Sequence, residues 1–156
     1  YSPAKMAGYH VGLSEFGGSD DPSYRAACDE NYLHVKAAME RLFSLPQPPT
    51  AIFCFTDARA LLAIRYLDEH NIEVGKQIAV MGFGDTAFRQ EISRTLSSVH
   101  IPLREMGQKA VDEALKGEKP RDGKVVVLRD RVILRESTGH VGKGNHRKTS
   151  RKKAVS

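Results

Sequence analysis

Pro49-Thr50-Ala51-Ile52-Phe53-Cys54-Phe55-Thr56-Asp57, followed further on by Ile78-Ala79-Val80-Met81-Gly82-Phe83-Gly84-Asp85, decides the fold. Each stretch is a short apolar run that stops abruptly at a polar tip carrying an acid. A run of about four to eight apolar residues reads as a strand buried on both faces, as parallel sheets require. In open α/β sheets ligands bind just beyond the carboxyl ends of such strands. The tips Thr56-Asp57 and Gly84-Asp85 therefore mark a small-molecule site.

Outward from these strands the pattern alternates. Asp57 is placed to N-cap a helix over 58–70, whose apolar face is Ala60, Leu61, Ile64 and Leu67. Upstream, Leu33, Ala37, Leu42 and Leu45 recur at helical spacing over 31–45, broadened by Val35, Ala38 and Met39, until Pro46, Pro48 and Pro49 end the helix. A first helix spans 3–16 and stops at Gly17-Gly18, and Asp21-Pro22 starts a turn. Downstream come a connection over 85–95 with a helical turn near Phe88–Ile92 and a third strand over 96–101. A helix over 103–116 ends at Gly117, a turn follows at 119–123, and one or two strands lie in 124–136. Alternating strands and helices imply a doubly wound parallel sheet with right-handed crossovers.

The chain has 156 residues, one domain's worth, and a net charge of +5. That charge sits at one end. Lys143, Arg147, Lys148, Arg151, Lys152 and Lys153 lie within 140–156 with no acid among them, and without these six, 18 basic residues face 19 acidic ones. A tail this polar buries too little surface to order itself, so 140–156 reads as a disordered basic end; the other reading is salt-sensitive affinity for a polyanion. Cys28 and Cys54 make no disulfide framework, and Cys54 within a strand behaves as a small hydrophobe, which favours a reducing, cytoplasmic setting. No apolar run approaches the roughly 20 residues of a membrane span. The sequence opens on Tyr1 and nothing there resembles a signal peptide.

The ordered motifs resemble the C-terminal half of the effector-binding domain of the lactose/galactose repressor (LacI/GalR) family. They are Ala7-Gly8-Tyr9 with Leu13, Pro49-Thr50-Ala51-Ile52, Thr56-Asp57, Ala60 through Leu67, and Val80-Met81-Gly82-Phe83-Gly84-Asp85. Leu96-Ser97-Ser98-Val99, Met106-Gly107-Gln108 and Arg135-Glu136-Ser137-Thr138 complete the series. The resemblance implies a partial periplasmic-binding-protein-like type I fold over residues 1–139. Residues 3–96 and 130–139 would form most of the C-terminal subdomain. Residues 97–129 would be a crossover, helix and strand belonging to the N-terminal subdomain, leaving helix 103–116 without its partner sheet.

It also implies site residues, each with a plainer alternative. Lys5 stands where the family commonly has an arginine that clamps the effector's hydroxyl or carboxylate groups; an ordinary solvated lysine is the alternative. Thr56 stands where an Asn is common and is assigned effector contact, whereas Asp57 has the helix cap as its structural role. Gly84 stands where many members have an acid that accepts hydrogen bonds from sugar hydroxyls. Its absence suits an anionic ligand, and Gly-Phe-Gly-Asp looks like the signature of gluconate-type repressors; backbone freedom at a strand end is the alternative. Asp85 contacts ligand or binds loop amides. Ile101 and Leu103 line the cleft floor or pack in the core. Helix 58–70 and strand 96–100 resemble the family's dimer-forming surface.

The histidines at 10, 34, 70, 100, 140 and 146 show no metal spacing, no C-x-x-C pair occurs, and Ser97-Ser98 is not a nucleophile elbow. Gly82-Phe83-Gly84 lacks the third glycine of a dinucleotide fingerprint. The expectation is a non-enzymatic regulator without cofactor or metal that binds a sugar or sugar acid such as gluconate. It would act on DNA through an N-terminal helix-turn-helix not in this chain, form a homodimer when intact, and touch no membrane. An exported sugar-binding protein of the same fold is the first rival, and an α/β enzyme the second.

Overall fold

In the computed structural model, residues 2–85, 96–116 and 125–139 are described. The helical turn expected near 88–92, the turn at 119–123 and the basic tail fall outside them. The elements in order are α1 (Pro3–Glu15), α2 (Tyr32–Phe43), β1 (Ala51–Phe53), α3 (Asp57–Glu69), β2 (Ala79–Gly84), β3 (Ser97–His100), α4 (Leu103–Leu115) and β4 (Arg131–Ile133). Short 3₁₀ turns cover Pro22–Tyr24 and Glu136–Thr138.

The sheet order is β1-β2-β3-β4. β1 and β2 pair in parallel with Ile52 opposite Val80, and β2 and β3 in parallel with Gly82 opposite Ser98. β4 returns antiparallel on β3, with Val99 opposite Val132, so the sheet is parallel with one reversed edge. Within 125–135 the strand is Arg131–Ile133, and 125–130 has no regular structure.

The core lies between one face of the sheet and a layer made of α2 and α3. It comprises Val35 and Met39 of α2, Ala60, Ala63, Tyr66 and Leu67 of α3, Ile78 and Val80, and Leu96. Leu67 and Val80 are completely buried. Fully burying one such aliphatic side chain contributes about 1.5–3 kcal/mol.

Two apolar assignments change. In α2 the buried stripe is Val35, Met39 and Leu42, spaced i, i+4, i+7, while Leu33 is 70% exposed. The stripe expected from Leu33 and Ala37 is rotated, because Val35 and Met39 are the residues that pack against α3 and the sheet. β1 is not buried on both faces, since it is an edge strand and Ala51 and Phe53 are exposed. Helices α1 and α4 bury none of their residues, and α4 shows Leu103, Met106, Val111 and Leu115 to solvent.

Hydroxyls tie the last segment onto the sheet. Ser137 is buried; its Oγ donates to Val80 O at 2.6 Å and accepts from Ser97 N at 2.8 Å. Ser97 Oγ in turn accepts from Arg135 N at 2.7 Å and meets Thr138 Oγ1 at 2.6 Å. Ser137→Ala strands a buried carbonyl and a buried amide at once. A loss of about 2–4 kcal/mol is expected in chemical denaturation, and a loss under about 0.5 kcal/mol, the scale of an ordinary surface change, would contradict the arrangement.

Cys54 continues the β1 pairing through its N–H to Met81 O at 2.8 Å. Burial pushes its thiol up to about 12, with the neighbouring Cys28 adding to the effect. The folded thiol keeps its proton to higher pH than the unfolded one. This contribution to stability is therefore complete below about pH 8.5 and is lost as pH rises toward 12. At pH 8, alkylation of Cys54 by iodoacetamide should be at least ~100-fold slower in native than in denatured protein, because the thiolate is the nucleophile. Equal rates would show the thiol to be free.

Candidate functional site

The tips of β1 and β2 lie side by side because the two strands run parallel in register. Residues 55–57 leave β1 and enter α3. Thr56 is the cap of α3: it is extended, and its Oγ1 accepts from Arg59 N at 3.3 Å. Asp57 is not the cap, contrary to the sequence expectation, but the first residue of the helix. Its carboxylate turns inward, is 5% exposed, and accepts from Ser98 Oγ at 2.6 Å. Two adjacent residues, Thr56 and Asp57, could each have served as cap, and the buried hydroxyl of Ser98 on β3 takes the second of them. Glycine at 82 makes this feasible, since a Cβ there would overlap Asp57 Oδ1 and come within 3.2 Å of Leu96.

Thr56 also donates its hydroxyl to Glu30 Oε1 at 2.8 Å. Its one proton is thus committed within the protein.

At the end of β2 the backbone turns through two left-handed residues, Gly84 at φ 131° and Asp85 at φ 45°. Gly84 occupies a region that side-chain-bearing residues rarely adopt, so its plainer alternative, backbone freedom, has direct support. Asp tolerates the left-handed conformation better than most residues. The Asp85 side chain is 7% exposed and both its oxygens are engaged: Oδ1 by Arg135 Nη2 at 2.8 Å, Oδ2 by His100 Nδ1 at 3.2 Å. Asp85 N donates to Ser98 Oγ at 3.2 Å. Arg135 Nη1 donates to Leu96 O at 2.6 Å, so this guanidinium is a strut between the sheet end and the corner.

Lys5 reaches the same place from α1. Its Nζ donates to Phe55 O at 2.7 Å and sits 3.7 Å from the centre of the Phe83 ring. That is close for a cation–π contact. Burial, then the positive charge of Arg59, lower its pKa from the usual lysine value, while Asp57 opposes them. Lys5 is thus held against the strand tips.

Ile101 and Leu103 lie one step further on, where Ile101 N donates to Gly84 O at 3.3 Å. Ile101 is half-buried and Leu103 is 54% exposed, so Leu103 is not a core residue. The structure brings Lys5, Thr56, Asp57, Gly84 and Asp85 around two adjacent strand ends, with Ile101 bonded to the rim and Leu103 outside. Sequence reasoning missed Arg59, Glu30, Phe83, His100 and the roles of Ser98 and Arg135. Ser98 and Arg135 stood within quoted motifs, but nothing in the sequence announced which carboxylates they would meet. Among the described residues no cluster of His, Cys, Asp and Glu is placed to hold a metal, and no helix is long and apolar enough to cross a membrane.

The sequence profile of the periplasmic binding protein-like domain matches residues 6–138. The chain is 32% identical over 107 residues to the HTH-type transcriptional repressor CytR of Escherichia coli K12, covering 69% of this chain and 31% of CytR. It is 35% identical over 103 residues to the probable HTH-type transcriptional repressor ExuR of Bacillus subtilis 168, covering 61% of this chain and 31% of ExuR. The crystal structure of a sugar-binding LacI-family transcriptional regulator from Escherichia coli, complexed with phosphate, superposes with a TM-score of 0.70 at 26% identity, over 87% of this chain and half of that one. The chain thus spans about a third of the length of these curated relatives. It belongs to the periplasmic binding protein-like domain family, in the branch that contains the effector-binding domains of LacI-type regulators.

Proposed function

We propose that this chain is the effector-sensing part of a LacI-type transcriptional repressor that binds a sugar or sugar acid, gluconate being the notable candidate. The observation that carries the reading is the convergence of Lys5, Thr56 and Gly84 at the carboxyl ends of two adjacent parallel strands. Such ends are where open α/β folds take ligands. Lys5 binds the effector's oxygens, and Thr56 accepts from a hydroxyl through the lone pair left after its two protein bonds. Gly84 and Ile101 shape the wall, with Leu103 at its outer margin. Asp57 and Asp85 act one step back, holding the tips in place through Ser98 and Arg135.

DNA is contacted by a helix-turn-helix preceding this region, as the names of the relatives CytR and ExuR imply for them. Helix α4 belongs to a second subdomain, whose surface covers its exposed apolar side. The effector biases the relative orientation of the two subdomains only by its difference in affinity for the two orientations. The protein acts in the cytoplasm as a homodimer and binds without turning over its ligand. An exported binding protein is not favoured, because the named relatives are repressors.

The test is a thermal-shift series on the full-length protein with neutral sugars and sugar acids. Ligand at about 100 times its dissociation constant stabilises by about 2.7 kcal/mol, which moves the midpoint by several degrees. The same compound should loosen or tighten operator DNA in a gel shift. A panel in which no sugar or sugar acid moves the midpoint would sink this function.

A further inference from the structure

Arg59 is energetically misplaced in the folded chain. It is the third residue of α3, where the helix dipole disfavours a cation. Its Nε is buried and, among the described residues, has no hydrogen-bond partner. Unsatisfied buried donors are rare and call for an explanation. Its backbone N–H donates to Thr56 Oγ1 at 3.3 Å, which sets the residue in the first turn of α3 just beyond the tip of β1, and its charge helps to lower the pKa of Lys5. Glu30 on that loop gives its Oε1 to the Thr56 hydroxyl, and Asp57 gives Oδ1 to Ser98. Neither acid forms an ion pair with Arg59 or Lys5. Two cations thus stand at the strand tips, one with a buried unpartnered donor; Asp57 favours the charged form of Lys5, but no acid of the described residues forms an ion pair with either.

We propose that Arg59, together with Lys5, is the receptor for the carboxylate of an anionic effector and sets the preference of the site for sugar acids over neutral sugars. The proposal rests on reading these strand tips as the effector site, and it adds a residue that this reading did not include. A guanidinium presents a planar fork of donors that fits a carboxylate in two-point contact, while the Lys5 ammonium adds a point charge beside it. A bound carboxylate would satisfy the open Nε or its neighbouring nitrogens and relieve the repulsion between the two cations. It also removes the need for the argument from Gly84: the left-handed backbone there accounts for glycine without reference to ligand charge, so anion preference must come from positive groups that are present.

The experiment is calorimetric titration of the full-length protein and of Arg59→Met, Arg59→Gln and Arg59→Lys with gluconate, glucuronate and glucose, alongside melts without ligand. The expected result is a roughly 10- to 100-fold loss of sugar-acid affinity in Arg59→Met and Arg59→Gln, with glucose affinity changed less than about twofold and partial retention of acid binding in Arg59→Lys. Melting of ligand-free Arg59→Met should be unchanged or raised, because an unpaired buried cation is removed; a structural arginine would lower it. Sugar-acid affinity unaltered by Arg59→Met, or acid and neutral affinities falling together, overturns the proposal. Binding of glucose with no binding of either acid to the unaltered protein overturns it too and leaves the effector-site reading standing. Failure of all three ligands, repeated across the wider sugar panel, removes both.

Discussion

The carboxylate of Asp57, buried beneath the sheet's carboxyl edge and bonded to Ser98 Oγ, is the constraint on which the site depends. Burying a carboxylate is expensive unless hydrogen bonds and nearby dipoles compensate. Here the first turn of α3 supplies the favourable end of a helix dipole, and Ser98 supplies a donor. The bond crosses β2, joining the start of α3 to β3, and it can do so only because residue 82 has no Cβ. Ser98 Oγ also receives Asp85 N, so one hydroxyl fixes the beginning of α3 and the corner after β2 together.

A second set of polar contacts carries that rigidity to the other edge. Ser97, Ser137 and Arg135 bind the final turn to β2 and β3, and the Arg135 guanidinium braces Leu96 O and Asp85 at once. The sheet side of the site is therefore over-determined. The α1 side is not: that helix buries no residue, and Lys5 meets the sheet through one carbonyl and the rings of Phe83 and Phe55. Segments with few buried contacts open at lower free energy than the core. One firm wall and one lightly held lysine suit a site that must admit a ligand and then close on it.

The sequence disclosed element order well and side-chain roles poorly. Apolar runs at 51–55 and 78–83 and prolines after 45 announce strands and a helix stop, because those signals are local. Which face of α2 is buried was not legible, since Leu33 and Val35 both fit a helical stripe and the choice is made by packing against α3 and the sheet. The exchange of roles between Thr56 and Asp57 was equally hidden. Either side chain caps a helix, and only the arrival of Ser98 from 41 residues away in sequence decides. β1 read as doubly buried because its apolar run was visible and its edge position in the sheet was not. The family resemblance pointed to Lys5, Thr56 and Gly84, which come together around two adjacent strand ends, whereas the burial of Arg59 Nε without a partner had no signal in the sequence.

The electrostatic balance of the strand tips then follows from geometry. Acids are plentiful there, but each is consumed internally: Asp57 by Ser98, Asp85 by Arg135 and His100, Glu30 by Thr56. Those bonds fix each carboxylate in the scaffold, although the charge of Asp57 still favours charged Lys5. The cations are treated oppositely. Lys5 has a carbonyl and the rings of Phe83 and Phe55, and Arg59 keeps a buried unpartnered donor. A protein that satisfied its own charges would have paired Arg59 with Glu30 on the neighbouring loop. Instead the acids hold the framework, while neither base forms an ion pair with an acid of the described residues.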